Sequence, residues 1–165
     1  MGRPVARLPD GPVDVVGDVH GEIDALRSLL GHLGYDKAGA HPEGRRVVFV
    51  GDLCDRGPDS PAVLDLVMDW VGRGTAQCVL GNHELNVLLG APKHGNGWFF
   101  DRNHELESGE FLHAKAATPE RRRAWVEFLD RLPLALERAE LRIVHACWDD
   151  AAIARLGACL VDRPY

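Results

Sequence analysis

A chain of 165 residues, 45% of them hydrophobic, is long enough to bury one sizeable core, and a single domain over residues 1–165 is expected. Its formal charge of -6 gives no general attraction to nucleic acid or to an anionic membrane, although a metal site can make a local positive field within an acidic protein. Cys54, Cys78, Cys147 and Cys159 are scattered with no CxxC pair, which argues against a zinc knuckle or a disulfide framework and fits a reducing cytoplasm.

Residues 1–12 carry Arg3 and Arg7 but have Gly and Pro where a signal peptide needs an apolar run. No stretch approaches the ~20 apolar residues of a membrane span, so a soluble, unprocessed cytoplasmic protein is expected. Val13 to Val16 is a short apolar run that reads as a strand and ends at Gly17. Ile23, Leu26, Leu29, Leu30 and Leu33 then recur at helical spacing, so a strand enters a helix through GDVHG. Arg46 to Val50 repeats the pattern as a buried strand, followed by GDLCDRG and a helix from Ser60 to Val71 with Val63, Leu64, Val67 and Met68 on one face. Thr75 to Leu80 is a third strand, and GNHE follows it.

Three strand-loop-helix units in succession predict an α/β fold with a parallel sheet flanked by helices, its polar motifs gathered at the carboxyl ends of the strands. Residues 90–109, with Pro92, several glycines, His94, Trp98 and His104, show no persistent period and read as a long loop. Thr118, Pro119 and Glu120 are helix-start chemistry, so a helix is predicted from Thr118 to Leu129. Leu141 to Ala146 reads as a further buried strand delivering His145, and Asp149 to Leu156 as a short helix.

Asp18 and His20, two residues apart in a tight turn, can bind one cation, with Gly17 and Gly21 permitting close backbone approach. Asp52 stands at the end of the next strand, where its two oxygens could bridge two metal ions about 3.5 to 4 Å apart. Asn82 offers a neutral amide oxygen beside the imidazole of His83. Each motif alone has an ordinary alternative: a helix cap for Asp18, Asp52 or Asn82, a surface salt bridge for Arg56, a structural histidine for His145. Asp-x-His, Asp-xx-Asp-Arg and Asn-His-Glu at three consecutive strand ends form a set that capping does not require.

In this order and near this spacing, GDVHG, GDLCDRG and GNHE resemble the signature of the phosphoprotein-phosphatase branch of calcineurin-like metallophosphoesterases. The resemblance implies a calcineurin-like sandwich in which Asp18 and His20 hold one metal, Asp52 bridges, and Asn82 and His145 hold the other. Two divalent ions are implied, manganese foremost, with iron or zinc also suited to such mixed ligands. Arg56 would clamp phosphate oxygens, with Asn82 also on the substrate side, while His83, oriented by Asp55, protonates the leaving oxygen. The expected reaction is phosphate-ester hydrolysis by a metal-bound hydroxide attacking phosphorus in line, with no covalent enzyme intermediate.

Two features set the chain apart from that pattern. Leu80 precedes GNHE where protein Ser/Thr phosphatases of this branch typically have an arginine, which turns the substrate expectation toward bacterial relatives acting on dinucleoside polyphosphates or nucleic-acid terminal phosphates. No histidine follows His145, whereas the family adds one more metal-binding histidine in a GH motif. The chain therefore reads as a shortened domain or the N-terminal part of a longer one, with Asp149, Asp150, Asp162 or a partner as the substitute ligand. An uncovered sheet edge would favour a homo-oligomer, and the alternative function is a noncatalytic or fragmentary metal-binding module.

Trp148 reads as a packed aromatic beside a less favoured place at the substrate mouth, and Cys54 as a packing residue. His94, His104 and His113 are expected to do no chemistry, and Arg121 to Arg123 to form a solvated helix face.

Overall fold

The computed structural model describes residues 4–101 and 115–161. His104, His113, Asp162 and most of the second half of the predicted long loop lie outside them. The described elements run β1 (Val5–Arg7), β2 (Val13–Val16), α1 (Ile23–Leu33), β3 (Arg46–Phe49), α2 (Ser60–Arg73), β4 (Ala76–Cys78), α3 (Asn82–Leu88), α4 (Gly97–Phe100), α5 (Pro119–Leu129), β5 (Ala135–Arg138), β6 (Leu141–Val144) and α6 (Asp150–Val161).

Two three-stranded sheets result, ordered β2-β3-β4 and β1-β5-β6. The first is wholly parallel, as three successive strand-loop-helix units require. In the second, β1 pairs parallel to β5 and β5 pairs antiparallel to β6. Central strand β3 is buried on both faces, which explains its unbroken run Val47-Val48-Phe49. Val47 and Phe49 belong to a cluster with Ile23, Leu26, Val63, Val67, Trp125 and Phe128 from the helices. Val48 points the other way, into a smaller cluster with Leu8, Val79, Leu136 and Ile143 contributed largely by the second sheet. Period-2 alternation thus gives β3 a helix-facing and a sheet-facing side. Fully burying a valine such as Val48 is worth roughly 1.5–3 kcal/mol.

Local chemistry sets the helix ends. Asp59 accepts from Ala62 N at 3.0 Å to cap α2, and α2 ends on Gly74 in the left-handed region at φ 74°. Thr118 caps α5 by accepting from Arg121 N, with Pro119 in the first turn, as the sequence predicts.

Several details differ from the sequence reading. Strands β1 and β5 were not expected; β1 has three residues, too few to show a period, and its pairing joins Val5 to Ala135 across most of the chain. The predicted loop contains the one-turn helix α4, whose Trp98 and Phe99 are buried. Strand β6 lies at the edge of the second sheet, and only Ile143 of it is buried. Helix α6 runs to Val161 rather than Leu156. The arginine run is not simply solvated: Arg121 pairs with Asp65 and stacks over Trp125, and Arg122 pairs with Asp101.

Candidate metal centre

Strand register brings the motifs to one level. Val16 lies opposite Phe49, and Phe49 opposite Cys78, so Asp18, Asp52 and Asn82 follow aligned strand ends by only a few residues. The loops after them are bonded to each other: Val19 N and His20 N both donate to Asp52 O, at 3.0 and 2.9 Å, and Gly21 N donates to Leu53 O at 2.9 Å. A side chain at Gly57 would collide with the His20 carbonyl, and one at Gly81 with the backbone and carboxylate of Asp52, so glycine is required at both for close approach. His20, Asp52, Asp55 and Arg56 all adopt positive φ, and they are four of the five described non-glycine residues that do. Such conformations cost free energy and persist where the surrounding contacts over-determine them.

Both candidate ligand histidines are tied to a backbone carbonyl by Nδ1 and turn Nε2 toward the other site residues. His20 Nδ1 lies 3.0 Å from Cys54 O, and His145 Nδ1 lies 2.8 Å from Val50 O, which carries the second sheet onto the first. A backbone carbonyl can only accept, so each Nδ1 donates, and in the neutral ring each Nε2 is then the nitrogen with a lone pair to offer a cation. His20 Nε2 faces Asp18 Oδ2 at 4.0 Å and Asp52 Oδ2 at 3.9 Å. His145 Nε2 faces the other oxygen, Asp52 Oδ1, at 3.5 Å and Asn82 Oδ1 at 3.0 Å. Asp18, Asp52 and His145 form one group of donor atoms close enough to hold a cation, and His20, Asp52 and His83 another. Lone pairs converging from carboxylate, amide and imidazole groups, with the imidazole tautomers already set by outer bonds, are a donor set that fits divalent cations.

Next to these donors, His83 Nδ1 is 2.6 Å from Asp55 Oδ2, and Asp55 is fully buried. The Asp55 hydrogen bond, reinforced by the Asp55 and Asp52 charges, raises the pKa of His83 above the usual histidine value despite burial and the Arg56 charge. Arg56 is exposed and spans the two imidazoles, with guanidinium nitrogens 3.2 Å from His20 Nε2 and 3.3 Å from His83 Nε2. All predicted site residues are therefore brought together: Asp18, His20, Asp52, Asn82 and His145 as donors, with His83, Asp55 and Arg56 beside them.

Asp149 and Asp150 have other structural work: Asp149 accepts from Ala152 N, and Asp150 accepts from the Trp148 indole. Trp148 is half-buried beneath the Arg142 guanidinium rather than part of either core cluster. Cys54 is fully buried, as expected of a packing residue, and burial pushes its thiol well up.

The sequence reading missed Glu84 as a fastening point. Its Oε2 accepts from Asp52 N at 2.8 Å and Gly81 N at 3.1 Å, while Oε1 accepts from Leu53 N at 2.8 Å and Cys54 N at 3.3 Å. This fully buried carboxylate locks the second motif to the third, although burial raises its pKa. Its position in GNHE was visible, but an acid in the first turn of a helix looks the same when it merely complements the helix end.

Aligned parallel strand ends, two oriented imidazoles sharing a buried carboxylate, and an arginine over them are the arrangement of a metallophosphoesterase. The chain belongs to the calcineurin-like phosphoesterase family, whose pattern it matches over residues 11–147. It is 34% identical over 146 residues to the asymmetrical bis(5'-nucleosyl)-tetraphosphatase PrpE of Geobacillus thermodenitrificans, a match covering 81% of this chain and 56% of that one. Over 73 residues it is 52% identical to the corresponding protein of Halalkalibacterium halodurans, covering 42% of this chain and 30% of the relative. Among solved structures, one with the provisional name diadenosine tetraphosphatase aligns with a TM-score of 0.56 at 26% identity, covering 88% of this chain and 55% of that chain. A metallophosphoesterase from Sphaerobacter thermophilus shares the fold, with a TM-score of 0.50 at 20% identity over 92% of this chain and 56% of that one. The chain thus spans about half the length of the relatives it matches most extensively.

Proposed function

We propose that the chain is a metal-dependent phosphoric ester hydrolase with a binuclear centre, acting on a phosphorylated nucleotide of the dinucleoside polyphosphate class. The observation that carries this reading is the division of Asp52: one oxygen faces His20 and the other His145, each imidazole presenting Nε2. Asp18, His20 and Asp52 would hold one divalent ion, and Asp52, Asn82 and His145 the other, with manganese the first candidate and iron or zinc compatible with the ligand types. When bound, such ions supply Lewis-acid stabilisation of phosphoryl oxygens and an acidified water at neutral pH.

The chain's own residues do the rest. Arg56, exposed at the mouth, is placed to grip two phosphate oxygens with its planar fork. Asn82, exposed beside the ligands, can turn its amide toward substrate. His83, held protonated by Asp55, gives its Nε2 proton to the leaving oxygen, and an elevated pKa keeps that proton available near neutral pH. The nucleotide preference rests on the names of the relatives and on Leu80 standing where protein phosphatases of this branch carry an arginine.

Among the described residues no helix is long and apolar enough to cross a membrane. The reading takes residues 1–165 as all or the N-terminal part of one cytoplasmic metallophosphoesterase domain, with copies of the chain pairing at the outer edge of β2. A second reading, a noncatalytic metal-binding module, draws on the match to only about half of the relatives' length.

The test is manganese-dependent hydrolysis of p-nitrophenyl phosphate and of diadenosine tetraphosphate by the purified chain, with metal stoichiometry measured on the same sample. Two metals per chain and turnover that yields a nucleoside triphosphate and monophosphate in equal amounts support the hydrolase. Folded, inactive protein holding one metal supports the module.

A further inference from the structure

We propose that Trp98 is a positioning residue for the proton donor, acting through Asp55. This rests on the reading of His83 as the group that protonates the leaving oxygen. The indole Nε1 of Trp98 donates to Asp55 Oδ1 at 2.7 Å, and the opposite oxygen, Oδ2, meets His83 Nδ1 at 2.6 Å. Asp55 is fully buried and Trp98 is 1% exposed, so no water competes for that oxygen, and a buried carboxylate oxygen without its donor is costly. The carboxylate is thus held at both oxygens, and the backbone beneath it is fixed by Asp55 N donating to Ser60 Oγ at 2.9 Å.

Trp98 is itself rigid. Its ring meets Phe99 edge-on at 5.5 Å and Trp125 at 5.9 Å, and its carbonyl accepts from Ala117 N at 2.9 Å. The same segment also fastens the phosphate-gripping residue, because Gly95 O accepts from Arg56 N at 3.2 Å. Asp55 and Arg56 both sit in the left-handed region, at φ 72° and 67°, where a non-glycine residue needs outside contacts to stay. The segment through α4 provides two of them. It braces the acid and the anion clamp together from 43 residues away in sequence.

Trp125 is a built-in comparison. It is equally buried, belongs to the same aromatic cluster and gives its indole N–H to an aspartate, Asp65, at 3.0 Å, but it has no hydrogen bond to Asp55 and reaches the site only through its ring contact with Trp98. A purely structural role would make Trp98→Phe and Trp125→Phe equivalent.

The decisive experiment compares these two variants by proton NMR and by leaving-group dependence. The short His83–Asp55 bond should give a strongly deshielded Nδ1–H signal, assigned by its loss in His83→Ala. In Trp98→Phe that signal moves or disappears, and turnover of phenyl phosphate relative to p-nitrophenyl phosphate falls by about tenfold or more. Trp125→Phe, which keeps the Trp98–Asp55 hydrogen bond, changes both by far less. An unmoved signal and ratio in Trp98→Phe, or equal changes in the two variants, overturn the proposal. If Trp98→Phe does not fold, Asp55→Asn decides: the Trp98 indole N–H resonance must shift while that of Trp125 stays. Wild-type protein that hydrolyses neither ester would defeat the proposed activity, while the NMR comparison would still decide the role of Trp98.

Discussion

Asp52 is 4% exposed, so its two oxygens are divided between the two half-sites by geometry that solvent does not disturb. Asp52→Asn removes the charge and turns one oxygen into an N–H donor facing an imidazole lone pair. Hydrolysis should fall below detection and metal content should fall with it; an active variant would refute the bridging role. Glu84 acts one step back, as a single acceptor group for four backbone N–H groups at Asp52, Leu53, Cys54 and Gly81. Glu84→Gln places an amide N–H₂ against at least one of them, and manganese affinity measured by titration calorimetry should weaken about 10- to 100-fold. Unchanged affinity would show that the loop holds its shape without this carboxylate. That Asp18, His20, Asp52, Asn82 and His145 come together was legible in the sequence because each sits just beyond a strand end, where direction is set by the sheet. Glu84 and Trp98 were not, since their partners lie about 30 and 43 residues away and nothing local points to them.

At the scale of elements, one polar cluster fastens β2 to the chain entering β3. Asp14 on β2 accepts from Tyr35 at 2.7 Å and from Arg45 Nε at 2.8 Å. The Arg45 hydrogen bond holds the Asp14 carboxyl below its usual range, against desolvation. A carboxylate whose pKa is depressed on folding stabilises above its unfolded value and loses that contribution as pH falls through the folded one. Asp14→Asn should therefore cost about 1 kcal/mol in urea unfolding at neutral pH, and the gap from wild type should close as pH drops below about 4. A gap that is constant with pH would assign the loss to packing rather than charge. The parallel units containing β2, β3 and β4 were readable from apolar runs bounded by glycine motifs, α2 from its apolar face and α5 from its cap. Strands β1 and β5 were not, because their pairing is set by burial of Leu8 and Leu136 between the sheets, a tertiary fact with no local period.

At the scale of the whole molecule, the candidate metal centre joins the two sheets. His145 follows β6 of the second sheet, accepts its orientation from Val50 beyond β3 of the first, and turns toward Asp52 and Asn82. A cation bound there is held by loops that come together only in the folded chain, so it stabilises the folded state by mass action. At a manganese concentration near 100 times Kd, that linkage is worth about 2.7 kcal/mol, which for a chain of this size should raise Tm by roughly 5–10 °C. Asp52→Asn should lose most of the increment because both half-sites lose their shared ligand, whereas His20→Ala and His145→Ala should each lose part of it. Scanning calorimetry with and without manganese separates the possibilities. No rise in wild type would mean that the donors do not bind the ion, and an undiminished rise in Asp52→Asn would place the ion elsewhere. A smaller loss for His145→Ala than for His20→Ala would identify the β6 half-site as the weaker, as its neutral amide ligand implies.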